Sequence, residues 1–212
     1  MRISRGLFPF ASVLLGSALA FSSVALGAPT PVKLDPSKSS IAWVGKKVTG
    51  QHQGTVAIKG GEALIEGSTL VGGTFEVDLG TIKVTDITDP KDNLKLTDHL
   101  KSDDFFGASV HPVALLTITK ATPIASAKAG EPNYEISGEV SIKGIKNSVT
   151  FPAVVSIADG KAEAKATFTL DRTKWNVRYG SGKFFENLGD RLIYDDFEVS
   201  LAVVGTVESA AS

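Results

Sequence analysis

From residue 32 onward, apolar and polar side chains alternate with a period of two. Phe75-Glu76-Val77-Asp78-Leu79 changes character at every step. Tyr134 to Lys143 sets Tyr134, Ile136, Gly138, Val140 and Ile142 on one face, against Glu135, Ser137, Glu139, Ser141 and Lys143. Ala164, Ala166, Phe168 and Leu170 likewise oppose Glu163, Lys165, Thr167 and Thr169, and Phe197, Val199, Leu201 and Val203 repeat the scheme. Successive side chains of a strand point to opposite faces, so the alternation predicts antiparallel strands with one buried and one wet face. The expected strands are 40–48, 53–59, 62–67, 70–83, 112–121, 134–143, 147–158, 161–171 and 192–205. Lys59-Gly60-Gly61-Glu62, Val71-Gly72-Gly73, Lys143-Gly144-Ile145 and Asp159-Gly160-Lys161 can each reverse the chain, because Gly and Asp tolerate positive φ. Many alternating strands at hairpin spacing predict an all-β fold in one domain, either a closed barrel or a sandwich.

Two stretches leave the pattern. Leu94 to Gly107 is expected to hold a short helix, with Thr97 as its cap, Asp98 in the first turn and Gly107 ending it. Segment 173–191 places Trp175, Tyr179, Phe184 and Phe185 among Gly180, Gly182 and Gly189. It is too long for a hairpin connection, and reads either as a functional loop or as a cover for one end of the barrel.

Composition narrows the function. Across 212 residues, 22 basic side chains face 23 acidic ones without blocks of either sign, which excludes electrostatic capture of nucleic acid. The absence of cysteine excludes disulfides, thiolate catalysis and sulfur-ligated metals. Residues 1–27 read as a secretory signal peptide, with Arg2 and Arg5, an apolar stretch from Leu7 to about Phe21, and small residues up to Ala28. Pro9, Ser12, Gly16 and Ser17 interrupt that stretch, which is short for a bilayer span. The remaining chain is expected to be periplasmic or secreted.

Catalytic constellations are scarce. The chain has no nucleophile elbow, and Gly180-Ser181-Gly182-Lys183 lacks the first half of a phosphate loop. The neighbours Asp195 and Asp196 fall on opposite faces of a strand, and both they and Asp103-Asp104 read as solvated or capping groups. No two of His52, His99 and His111 stand at ligand spacing on one element. His52 is expected to be buried and hydrogen-bonded, and His111 to sit in a turn before Pro112. The chain is read as a non-enzyme without a metal or side-chain-bound cofactor.

What remains is the interior. A barrel of about eight strands is either filled by its side chains or holds one small ligand. Ala114, Ala153, Ala164, Ala166 and Gly138 fall on apolar faces beside Phe75, Leu116, Phe168 and Phe197. Small residues there can leave an elongated void, or can accommodate taper and helix packing in a full core.

The segments Leu96-Thr-Asp-His-Leu-Lys-Ser-Asp-Asp-Phe-Phe106, His111-Pro112, Gly138-Glu-Val-Ser-Ile-Lys-Gly-Ile145 and Asp171-Arg-Thr-Lys-Trp175 carry a resemblance. In this order, over residues 32–205, the chain resembles the YceI-like family. The resemblance implies a single exported, antiparallel lipocalin-like β-barrel of about eight strands with one short helix. It implies an interior that holds a long-chain isoprenoid or quinone-type lipid non-covalently, as carrier or reservoir, with transient membrane contact and a homodimer as further implications. The residues expected at such a ligand are Trp43, Phe75, Val77 and Leu79, then Ala114, Leu116 and Ile118, then Val140 and Ile142, and Ala164, Ala166, Phe168 and Leu170. Leu100, Phe105 and Phe106 are expected to close an apolar mouth, with Asp103 or Asp104 as caps, and Asp171-Arg172 to form an ion pair or backbone hydrogen bonds. Many members carry Arg-Asp-x-His-Leu where this chain has Leu96-Thr97-Asp98-His99-Leu100, so any head-group contact from that arginine is missing. The alternatives are a filled barrel serving as an interaction or stress-related protein, and an enzyme acting on an apolar substrate.

Overall fold

The computed structural model describes residues 28–207, and the expected signal peptide lies outside them. Every strong alternation becomes a strand: β1 (Thr30–Leu34), β2 (Ser40–Lys47), β3 (Gly50–Glu66), β4 (Thr69–Val84), β5 (Val113–Pro123), β6 (Tyr134–Ile142), β7 (Ile145–Ala158), β8 (Lys161–Asp171) and β9 (Ile193–Val207). All pairings are antiparallel, in the order β3-β2-β9-β8-β7-β6-β5-β4, and β4 returns to pair with β3. The sheet is a closed barrel, which leaves no open edge to manage.

One stave is broken. β2 pairs with Gly50–Val56 of β3 and with the first part of β9, while β1 pairs with Glu62–Ile65 and with Gly205–Val207. A 3-10 turn at Pro36–Lys38, capped by the Asp35 carboxylate on the Ser37 N–H, separates the two pieces. Nine strands therefore make eight staves. β1 escaped the pattern because Thr-Pro-Val-Lys-Leu is too short to show a period, although Val32 in it is fully buried.

Two expected reversals are corrected. Gly60-Gly61 and Gly72-Gly73 lie within β3 and β4, where the register slips by a residue, so they bend the strands instead of ending them. At Gly61, with φ +139°, a Cβ would lie 2.2 Å from the Thr74 carbonyl oxygen, so only glycine permits the strands to close up. The chain turns at Gly67-Ser68 instead. Lys143-Gly144 and Asp159-Gly160 do reverse it, with positive φ at both central residues as a type I′ turn requires.

The helix, α1 (Pro90–Lys101), begins earlier than expected. Asp89, not Thr97, is its cap: the carboxylate accepts from the N–H groups of Lys91 and Asp92, and Pro90 takes the first helical position. Thr97 lies inside the helix, and the chain leaves at Ser102 through turns that reach Gly107 at φ +57°. Asn93 ties α1 to the barrel by donating to the carbonyls of Val84 and Ile87.

Candidate functional site

The inward faces of β2 to β9 enclose an elongated cavity with about 220 Å³ of room for the centres of water-sized spheres. One water needs only about 10–15 Å³ on that measure, so the barrel is not filled by its own side chains. The lining on β8 runs from Ala164 to Leu170, about 20 Å of strand at roughly 3.3 Å per residue.

All the residues expected at the ligand stand on this wall. Trp43 comes from β2, Phe75, Val77 and Leu79 from β4, and Ala114, Leu116 and Ile118 from β5. Val140 and Ile142 come from β6, and Ala164, Ala166, Phe168 and Leu170 from β8. Leu100 of α1, with Phe105 and Phe106 just after it, covers one end. The period-two reading extends to wall residues outside the expected ligand set: Val56 and Ile58 on β3, Phe151 and Val155 on β7, and Val199 and Leu201 on β9. Their alternation was visible, and what was lacking was a reason to choose among strands before closure joined them.

Small and large side chains share the work of shaping the space. Phe151 and Phe168 stack at 4.1 Å between centroids with planes 13° apart, while Ala153, Ala164 and Ala166 leave room beside them. Of the two readings of the small inward residues, Gly138 follows the second and does not contribute to the void. A Cβ there would lie 2.3 Å from the Thr117 carbonyl oxygen, so its missing side chain is taken up by the β5 backbone.

Among the described residues, Arg172 is the one charged side chain on the wall, and it is 5 % exposed. Its guanidinium donates to the carbonyls of Tyr194 (3.1 Å), Val177 (2.9 Å) and Ile193 (3.0 Å), and lies 3.5 Å from the Asp195 carboxylate. Burial pushes Arg172 below its ordinary pKa, opposed by Asp195 and Asp171. Its bonds therefore hold segment 173–191 against the start of β9. Asp171 is not its partner: that carboxylate caps Thr173 and pairs with Lys183 at 2.8 Å. Burial raises the Asp171 pKa, but the Lys183 ammonium and the Thr173 hydroxyl and N–H outweigh it and leave it below the ordinary value. Asp195, expected to be solvated, is half-buried between Arg172 and Lys183, and its Oδ1 accepts no hydrogen bond. Trp175 completes this end, 1 % exposed, with its indole N–H donated to the Val140 carbonyl at 3.0 Å.

The remaining expected polar roles shift. Neither Asp103 nor Asp104 caps α1: Asp104 pairs with His99 at 3.1 Å, and the Asp103 carbonyl accepts from the Lys143 ammonium at 2.6 Å. His52 is half-exposed, not buried, and pairs with Asp86 at 2.8 Å. Among the described residues no three potential ligands gather to hold a metal ion, and the cavity wall carries no carboxylate or imidazole. Such a space can receive a hydrocarbon body.

The model of the YceI-like domain matches residues 32–205. A crystal structure of Burkholderia cenocepacia BcnA superposes with a TM-score of 0.57 at 20 % identity, covering 82 % of this chain and 99 % of that one. A polyisoprenoid binding domain from Saccharophagus degradans, implicated in plant cell wall breakdown, superposes with a TM-score of 0.59 at 13 % identity, covering 84 % and 99 %. At these identities the likeness speaks to the fold. A search of curated proteins finds no match.

Proposed function

The chain belongs to the YceI-like family, and from that premise we propose that its barrel binds one long, uncharged apolar molecule of isoprenoid type and acts as carrier or reservoir, not as catalyst. The observation that carries the reading is the apolar cavity of about 220 Å³ running inside the strands. The wall of that space is hydrocarbon with no hydrocarbon packed against it, so an occupant that covers it stabilises the fold as it binds. The polyisoprenoid binding domain from Saccharophagus degradans shares the architecture and supports the ligand class. Arg172 already donates to three carbonyls, so the wall offers little to an anionic head group, and a neutral head such as a quinone suits it better. Export through the segment 1–27 completes the reading. Native mass spectrometry of the purified protein, followed by organic extraction, tests it. One isoprenoid-class molecule per chain is expected, and an empty barrel or a phospholipid would overturn the ligand class. Turnover of the extracted lipid would favour an enzyme, and ultracentrifugation decides the homodimer.

A further inference from the structure

The two ends of the barrel differ in what they expose. At the end formed by the β2–β3 turn, α1 and segment 173–191, large apolar side chains stand in solvent. They include Val48, Tyr179, Phe184, Phe185 and Tyr194, each between 43 and 50 % exposed. Leu94 on α1 and Val110 ahead of β5 extend the same end. Among the described residues, Ile124 is the one such side chain at the opposite end. Single exposed apolar residues need no explanation, but an end that collects nearly all of them marks a contact surface.

Barrel closure assembles this surface from separate stretches of chain. The Val48 N–H donates to the Leu192 carbonyl at 3.1 Å, and the Ile193 N–H to the Gly180 carbonyl at 2.8 Å. The surface is continuous with the cover of the cavity: the Tyr179 ring lies 4.5 Å from His99 and 5.5 Å from Phe105, and Phe105 is on the cavity wall. The Arg178 guanidinium sits 4.6 Å over the Phe184 ring. Basic and acidic side chains mix around it, with Lys46, Lys47, Lys91, Lys95 and Arg191 among Asp89, Asp92, Asp98, Glu186, Asp190 and Asp196. Rings edged by Arg and Lys suit the boundary between lipid head groups and acyl chains, where rings enter the apolar side and cations stay with phosphates.

We infer that this end of the barrel docks on a phospholipid bilayer, so that an apolar chain passes between the acyl layer and the cavity without crossing water. The purpose rests on the lipid-binding reading, while the test does not. Co-sedimentation with phosphatidylcholine vesicles, with and without phosphatidylglycerol, is compared for the parent, Phe184→Ser/Phe185→Ser and Ile124→Ser. The parent is expected to partition onto both kinds of vesicle through its exposed rings, with little dependence on phosphatidylglycerol or salt. The double variant should lose at least about tenfold of that partitioning with an unchanged urea midpoint, and Ile124→Ser should lose none. Tyr194→Ser is an independent second probe of the same end, expected to weaken partitioning by a few-fold. Absent vesicle binding by the parent, or equal binding by all variants, would overturn the inference. So would a concentration-dependent dimer that the double variant abolishes while vesicles go unbound. Vesicle binding through Phe184 and Phe185 by a barrel that yields no lipid leaves this surface standing and removes the lipid-binding reading. A lipid-filled barrel that ignores vesicles does the reverse.

Discussion

The far end of the cavity and the end covered by α1 are closed by different means. At the far end the strands seal themselves: Leu70, Ile118, Ile136, Phe151, Ala153 and Val155 are all buried. The seal is tied by Asn133, whose side chain both donates to the Val155 carbonyl and accepts from its N–H. At the α1 end the strands bury Leu79, Ile82, Ala114, Val140, Ile142 and Leu170, with Trp43, Val77, Phe197 and Val199 partly buried against them. Closure there depends on chain that is not sheet: Leu100, Phe105 and Phe106 from one side, and Arg172 and Trp175 from the other. A β-barrel thus stays rigid where its ladder runs, and can open only where a connection covers it.

The largest test of that contrast is Arg172→Met. It leaves three carbonyls unpaired and Asp195 as a half-buried anion without its guanidinium, and should cost about 3–5 kcal/mol in urea titrations. Hydrogen exchange should rise first in 173–191, with the 134–142 region following only on global unfolding. Uniform loss of protection would show that the two ends are one cooperative unit.

Ala164→Phe with Ala166→Phe asks whether the mid-barrel behaves as void or as core. Both alanines line the cavity, so two rings should displace the ligand and leave the urea midpoint of the ligand-free protein level or raised. Overpacking of a full core would instead cost about 1–3 kcal/mol per ring. The two signs are opposite, and lipid occupancy measured on the same sample completes the comparison.

The smallest effect expected is with pH. The folded Asp171 carboxyl titrates below its ordinary value, as does Asp86, which burial raises but the Gln53 N–H and His52 bring down. Carboxyls depressed in the fold stabilise it above their unfolded value, near pH 4, and lose that contribution as pH falls through the folded value. Asp171 and Asp86 belong to the α1 end; Asp35, which Lys38 and Ser37 hold down at about 2, lies away from it at the exposed break between β1 and β2. Limited proteolysis should therefore begin to cut 173–191 below about pH 4 while 134–158 stays resistant. Equal sensitivity of both regions would remove the distinction.

Alternation alone determined the walls. Each of β4 to β9 carries an apolar face at period two, and a strand offers that face only one direction in which to be buried, so the all-β fold and the inward residues from Phe75 to Leu170 were legible one strand at a time. The capping signal Asp89-Pro90 was equally local, and it was missed in favour of Thr97 although both residues were in plain sight. Tertiary structure decided what no local pattern can hold. Whether Gly60-Gly61 and Gly72-Gly73 turn or bend depends on which strand lies opposite, and Thr74 supplies that answer for Gly61. Whether small inward residues leave a void depends on what faces them across the barrel: Ala164 and Ala166 meet open space, while Gly138 meets the backbone of β5. The bonds of Arg172 to Val177, Ile193 and Tyr194 exist only once the chain has closed on itself, because their partners lie 5 to 22 residues away along it.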